Sequence, residues 1–241
     1  MNDAINNDTN DSENELLGEP HPSIEYAPPR TPHIGHAIFF FAFALGTISA
    51  TQLAAIGIAH MMPVYHALPL NELARHPRVT IFSSMVAYTL VLALSVLFFP
   101  AVWHRSFAEG ISWNADAVHR RWRWLIPVGV ALALASAGCE SLLSIPKSLP
   151  VDKFFASQTD LWLVSILGTF LAPVFEEICF RGFLLPATAI AWDWFALPRT
   201  PEAREQWNRT NTLSPAGLAV GAVLTSIAFA ALHGKQLSFT L

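Results

Sequence analysis

The chain has 241 residues, of which 53% are hydrophobic and only 13% are charged. A soluble globular protein carries roughly 25% charged residues, so this composition argues against a soluble domain and indicates that lipid surrounds much of the chain. The formal net charge is −4. The sequence contains no basic cluster of the kind that predicts binding to nucleic acid. We therefore expect an all-α fold, a polytopic transmembrane helix bundle with about five apolar spans.

The N-terminal residues 1–34 form an acidic tail rich in Asn, Asp, Glu and Pro. Such a segment cannot bury enough apolar surface to offset its ordering entropy, so we predict that it is disordered. The first apolar run, 37–59, contains no charged residue and is long enough to cross a hydrocarbon core about 30 Å thick. It begins a first region, 35–124, of N-terminal spans and a basic loop.

The second apolar run covers 79–103, and the third begins at residue 125 and ends near residue 143. We expect a loop at 104–124 between them, because this stretch carries four arginines: Arg105, Arg120, Arg121 and Arg123. Lys and Arg are enriched in cytoplasmic loops, so the pattern predicts that this loop and the N-terminal tail are cytoplasmic.

Residues 161–197 are almost continuously apolar and would extend about 55 Å as a helix, which is too long for one upright span. Pro173 therefore predicts either a kink or a break between a shallower and a deeper piece. A polar hairpin, 198–212, follows. The last apolar run, 215–232, is closed by His233.

Four charged residues interrupt the long apolar segment: Asp193 and a cluster formed by Glu176, Glu177 and Arg181. Charges in the hydrocarbon region cost several kcal/mol on most scales, so they persist when they pair or function. Glu177 and Arg181 are four residues apart and share one helix face, where they can form an ion pair. Glu176 points about 100° away, which leaves it available as a general base toward water.

A base of this kind needs an orienting group, and His233 is the histidine of the late spans. The midpoint between Glu177 and His233 is residue 205, inside the polar hairpin 198–212. Two antiparallel helices leaving that hairpin would bring the glutamates and His233 to similar depth. We therefore predict a shared site formed by Glu176, His233, Glu177 and Arg181.

Other interpretations of the same residues are open. The Glu–Arg pair could have a purely structural role and hold two helices together. A lone histidine at a helix end commonly makes an interfacial hydrogen bond. Glu140 in the third run favours a helix-packing role. A proton-coupled transporter using Glu140 and Glu176 is disfavoured, because such transporters usually show paired repeats and none is visible.

Two strings carry a family resemblance: Glu176-Glu177-x-x-x-Arg181 followed by Gly182-Phe183-Leu184, and Phe229-x-x-x-His233. They resemble the CPBP family of intramembrane proteases, which includes the CAAX prenyl endopeptidases and bacterial Abi or bacteriocin-immunity-like proteins. The similarity covers residues 125–241, which we interpret as a CPBP-like protease core.

The resemblance implies an endopeptidase of the bacterial cytoplasmic membrane that cleaves membrane-associated or CAAX-type peptide or protein substrates. It implies that Glu176 activates water, that His233 assists it, and that Glu177 and Arg181 support the site. The family also has a metalloprotease description, in which Glu176 and His233 would help to hold zinc; the glutamate and zinc mechanisms are both open here. The alternative function is a non-catalytic maturation, immunity or scaffold protein that keeps the cluster for packing.

The sequence departs from the family pattern in one respect. Members normally continue into further spans with a third motif, a histidine followed four residues later by Asn or Asp, whereas this sequence stops at Leu241. We therefore expect the protease core to be truncated, and a chain that really ended there to lack activity.

Overall fold

A computed structural model describes residues 30–142, 154–155 and 157–234, and every regular element within these residues is helical. The predicted disordered tail lies mostly outside the described residues, as do most of the connector after residue 143 and the side chain of Glu140. The helices are α1 (Ile34–Met61), α2 (Leu70–Leu73), α3 (Pro77–Trp103), α4 (Phe107–Gly110), α5 (Ala115–Leu142), α6 (Gln158–Ile166), α7 (Ala172–Glu177), α8 (Leu185–Ala196), α9 (Pro201–Arg209) and α10 (Pro215–Gly234).

The predicted all-α membrane fold with about five spans is confirmed. Within the described part of the chain, five helical segments are long and apolar enough to cross a membrane. The segments are Ile34–Met61, Pro77–Trp103, His119–Cys139, Gln158–Ala196 and Pro215–His233. The chain is therefore an integral membrane protein.

The predicted loop 104–124 is wrong in its second half. Helix α5 begins at Ala115, so three of the four arginines lie in its first turns rather than in a loop. The Asn114 side chain accepts a hydrogen bond from the backbone N–H of Ala117 (2.8 Å), which satisfies a helix-end donor. Hydrophobicity marks where a helix enters lipid, whereas this helix starts about three turns earlier. The described side chains of α5 are almost all exposed.

A kink or a break was predicted at Pro173, and the break does not occur, because the helix runs on from Gln158 to Ala196. Instead, two π-helical segments, Leu167–Leu171 and Ile178–Leu184, separate α6, α7 and α8. Each π segment ends two residues before a proline, Pro173 or Pro186. A proline lacks an N–H donor and its ring crowds the carbonyl four residues earlier, and a wide π turn relieves both effects. The glutamates therefore lie between two wide turns of one helix.

An aromatic core fixes this helix against α1 and α3. Phe183, in the second π segment, is fully buried and stacks on Phe40 of α1 with ring centroids 4.1 Å apart. It also contacts Phe99 and Trp103 of α3, at 4.9 and 5.9 Å. Near the glutamates, the ring of Phe175 is stacked on a tyrosine of α3, Tyr88, at 4.2 Å. The segment that carries the charges is therefore held by large buried rings on both sides.

Helices α8 and α10 pack closely through glycine. A Cβ placed on Gly221 would lie 2.9 Å from the backbone oxygen of Leu185. One placed on Gly217 would lie 3.0 Å from the backbone oxygen of Ala189. The two glycines are four residues apart, the spacing that lets membrane helices approach backbone to backbone. This contact sets the position of α10 and therefore of His233 at its end.

The polar hairpin 198–212 contains a short helix, α9, that the sequence analysis did not predict. Its start is capped by Thr200, whose hydroxyl oxygen accepts from the backbone N–H of Ala203 (3.2 Å). Glu205 and Arg209 form an ion pair at i,i+4 on this helix. The stretch therefore satisfies its own backbone groups locally.

Candidate active site

The predicted ion pair on the glutamate helix is present. The Arg181 guanidinium donates to the Glu177 carboxylate, with Nη1 and Oε1 2.9 Å apart. The Arg181 side chain is 72% exposed and that of Glu177 is 42% exposed. The i,i+4 pair therefore forms although Arg181 lies in the second π segment. Glu177 is bound by the arginine, as expected.

The structure also brings Glu176 and His233 together. His233 Nε2 lies 3.5 Å from Glu176 Oε1, and the two side chains are 32% and 31% exposed. This separation is slightly long for a hydrogen bond, as is common for acid–base partners in the absence of substrate. The predicted meeting of the late histidine with the glutamates is therefore observed, and its partner is Glu176.

The second nitrogen of the histidine fixes which atom faces the glutamate. His233 Nδ1 lies 2.9 Å from the backbone carbonyl oxygen of Phe229. Because a carbonyl oxygen only accepts hydrogen bonds, Nδ1 carries the hydrogen and donates it. The nitrogen that faces Glu176 is therefore Nε2. The ring of Phe229 stacks on the imidazole at 4.1 Å, which restrains its rotation.

A cavity of about 350 Å³ opens at the glutamates. It lies between the helix that carries them and α10, and Phe180 and Phe229 form an apolar part of its wall. The polar part of the wall comes from Glu176, the Glu177–Arg181 pair, Thr225 and Ser226. The cavity is large enough for a short stretch of peptide beside a carboxylate, at the lower end of typical ligand pockets.

Asp193 positions α10, a role that the sequence pattern did not predict. It is 9% exposed, and its carboxylate accepts a hydrogen bond from the backbone N–H of Ser214 (2.8 Å) and one from the Ser214 hydroxyl. The Ser214 hydroxyl oxygen in turn accepts from the N–H of Gly217 (2.8 Å), as an N-cap residue does. A buried acid inside an apolar run, followed by Ser-Pro at the start of the next run, was the available signal.

A second polar tie lies at the other end of the glutamate-bearing helix. Arg78, at the start of α3, donates from Nε to Asp160 in the first turn of α6 (2.8 Å). Asp160 is 7% exposed and also accepts from the Ser157 hydroxyl (2.6 Å). Nothing in the spacing of these residues indicated that they would meet.

Zinc at a catalytic site takes three protein ligands and keeps one open position. Glu176 and His233 supply two donors, and Glu177 is already bound by Arg181. Over the described ranges, no group of three or more His, Cys, Asp or Glu side chains could hold a metal ion. The described residues therefore do not by themselves make up a zinc site.

The C-terminal third of the chain matches a known family. Residues 158–241 match the family model described as type II CAAX prenyl endopeptidase, Rce1-like. This segment is similar to the Rce1-like family. The match contains both strings on which the CPBP resemblance rests, and at the level of the family it supports a protease that acts on protein substrates at a membrane. No curated protein and no solved structure matches the chain.

Proposed function

We propose that the Rce1-like segment is the core of an intramembrane endopeptidase that hydrolyses CAAX-type or other membrane-associated protein substrates. One observation carries this proposal: Glu176, left unpaired by the arginine, faces His233 at 3.5 Å beside a cavity that can admit peptide. We also propose a bacterial cytoplasmic membrane, with the acidic tail 1–34 on the cytoplasmic side. The basic residues around the start of α5 support that orientation.

In the proposed reaction, Glu176 takes a proton from a water molecule in the cavity. The water oxygen attacks the carbonyl carbon of the scissile peptide bond. The C–N bond then breaks, and Glu176 passes the proton to the leaving amine nitrogen. The products are a new carboxylic acid and a free amine, so both hydrogens of the water are accounted for.

His233 acts next to this base. Its Nδ1–H is engaged by the Phe229 carbonyl, so Nε2 points toward the Glu176 carboxylate. A ring held in this way can share, through Nε2, the proton that Glu176 takes from the water. Glu177 and Arg181 form the adjacent wall. The arginine neutralises the negative charge of Glu177 beside the base.

The alternative is a non-catalytic maturation, immunity or scaffold protein. The two proposals differ in the expected effect of Glu176→Gln, which keeps the side-chain shape and removes the base. The full-length protein, including any sequence that follows residue 241, is reconstituted in lipid nanodiscs with a prenylated CAAX peptide, and the products are read by mass spectrometry. We expect the wild type to release the C-terminal fragment and Glu176→Gln to lower the rate at least 100-fold, with unchanged thermal stability.

Glu205→Gln is the matched control, since it removes a carboxylate from the Glu–Arg pair of α9 instead. It should cleave at the wild-type rate. Cleavage by Glu176→Gln at the wild-type rate would overturn the proposed base. If neither the wild type nor Glu176→Gln cleaves the peptide, while Arg181→Ala unfolds the chain, the packing function is favoured. Treatment with a chelator separates the two mechanisms, because the glutamate mechanism predicts cleavage that survives it.

A further inference from the structure

A second cavity lies on the other side of the Glu177–Arg181 pair. It measures about 300 Å³ and is lined by the end of α4, the loop after it and the second π segment. Ile111 and Ile178 provide apolar surface, and Asn114 lies at its polar part. Both side chains of the ion pair line this cavity and the cavity at Glu176. The two cavities therefore share one charged wall.

Arg181 has more hydrogen-bonding capacity than its ion pair uses. The guanidinium has five N–H donors, and the observed bond to Glu177 joins one nitrogen to one carboxylate oxygen. The side chain is 72% exposed, so its remaining donors are accessible to a ligand. A planar guanidinium binds a carboxylate through two parallel hydrogen bonds, which is a geometry that Lys cannot provide.

The apolar part of the cavity is restricted by close packing. Ile111 is 8% exposed, and a Cβ placed on Gly182 would lie 3.5 Å from it. Gly182 therefore leaves a gap beside Ile111 about as wide as one methyl group, since an added Cβ would be in ordinary van der Waals contact with the isoleucine. This apolar part of the cavity suits an aliphatic group. Among the residues that line the cavity, only Glu177 and Arg181 are charged.

We infer that this second cavity binds the C-terminal end of the substrate, with Arg181 pairing with its terminal carboxylate and the isoleucines contacting the aliphatic residues before it. The inference rests on the proposed function. A CAAX substrate ends in two aliphatic residues, a variable residue and a free carboxylate, all on the C-terminal side of the prenylated cysteine. A scissile bond at Glu176 would place that short end across the shared wall.

The test uses the substrate rather than the protein as the variable. Two fluorescent prenylated CAAX peptides, one with a free C-terminal carboxylate and one with a C-terminal amide, are titrated against the full chain in nanodiscs. The Glu176→Gln variant is used, so that cleavage does not interfere with binding. We expect the amide to bind at least tenfold more weakly, because it cannot form the charge-assisted pair. Equal binding of the two peptides, or no binding of either, would overturn the inference.

Variants then locate the effect. Arg181→Gln should bind both peptides alike, whereas Arg181→Lys should keep only part of the preference for the carboxylate. Arg209→Gln, which breaks the corresponding pair of α9, should keep the full preference. A preference that survives Arg181→Gln in a folded protein would contradict the assignment.

The two proposals fail in different ways. Selective binding of the carboxylate peptide without cleavage by the wild type would refute the protease and leave the binding cavity standing. Cleavage with no distinction between the carboxylate and amide peptides would do the reverse.

Discussion

Substitution of Gly221 tests whether the close approach of α8 and α10 positions the site. A Cβ at this residue would lie 2.9 Å from the backbone oxygen of Leu185, whereas ordinary contact begins at 3.4 Å. The helices must therefore separate locally by about 0.5 Å (3.4 minus 2.9) to accept even alanine. Overpacking of this kind typically costs about 1–3 kcal/mol.

The separation also reaches the proposed acid–base pair, because His233 is carried on the same helix as Gly221. A misplacement of about 1 Å can cost about 100-fold in rate, so half that distance predicts a loss of about tenfold. The assays are the thermal unfolding midpoint in detergent and the rate of peptide cleavage in nanodiscs. We expect Gly221→Ala to lower both, and Gly221→Leu to lower both further.

Gly46→Ala is the matched control. Gly46 is also inside a membrane-spanning helix, but a Cβ there would have no atom within 4 Å. Its replacement should leave the rate unchanged and leave stability unchanged or slightly higher, because Ala favours helix. The reasoning is refuted if Gly221→Ala behaves like Gly46→Ala in both assays.

Three further predictions concern the scaffold. Phe183→Ala should lower the free energy of unfolding by about 3–5 kcal/mol, because it empties a fully buried aromatic site; Phe195→Ala, at an 85% exposed position, should change it little. Equal unfolding midpoints for the two variants would contradict the aromatic core. Asp193→Ala should lower stability by about 1–3 kcal/mol and shift the start of α10, since it leaves the partly buried donors of Ser214 unpaired; unchanged hydrogen exchange at that helix end would count against this. Hydrogen bonds from Ser106 lower the pKa of Glu109. The cap that Glu109 forms on α4 should therefore be intact at any pH above the ordinary glutamate pKa, and it should weaken as the pH falls through the lowered pKa. Hydrogen exchange of α4, corrected for intrinsic rates, should show this pH dependence in the wild type and not in Glu109→Gln.

The spans and the site pairs were predictable from the sequence because each depends on a simple regularity. Uninterrupted apolar runs predicted the membrane helices, and four-residue spacing predicted the Glu177–Arg181 pair. The position of His233 followed from equal chain lengths on either side of a turn. That estimate tolerated the extra helix in the hairpin, because only the relative depth of the two long helices matters.

The features that were missed depend on backbone geometry or on distant contacts. The π turns before Pro173 and Pro186 arise from local crowding that apolar patterning does not reveal. The approach at Gly217 and Gly221 had a readable signal in its spacing, which was overlooked. The tie between Arg78 and Asp160 had none, since the two residues are 82 positions apart and only the packed helices bring them together.

The central claim is that Glu176 and His233 act as one unit in peptide hydrolysis. It is tested most directly by the cleavage rates of Glu176→Gln, His233→Asn and the double variant in nanodiscs, each measured with its unfolding midpoint. Residues that act on the same step are strongly non-additive, so the double variant should be no slower than the slower single variant. A double variant whose loss equals the product of the two single losses, or a Glu176→Gln protein that keeps the wild-type rate, would contradict the account.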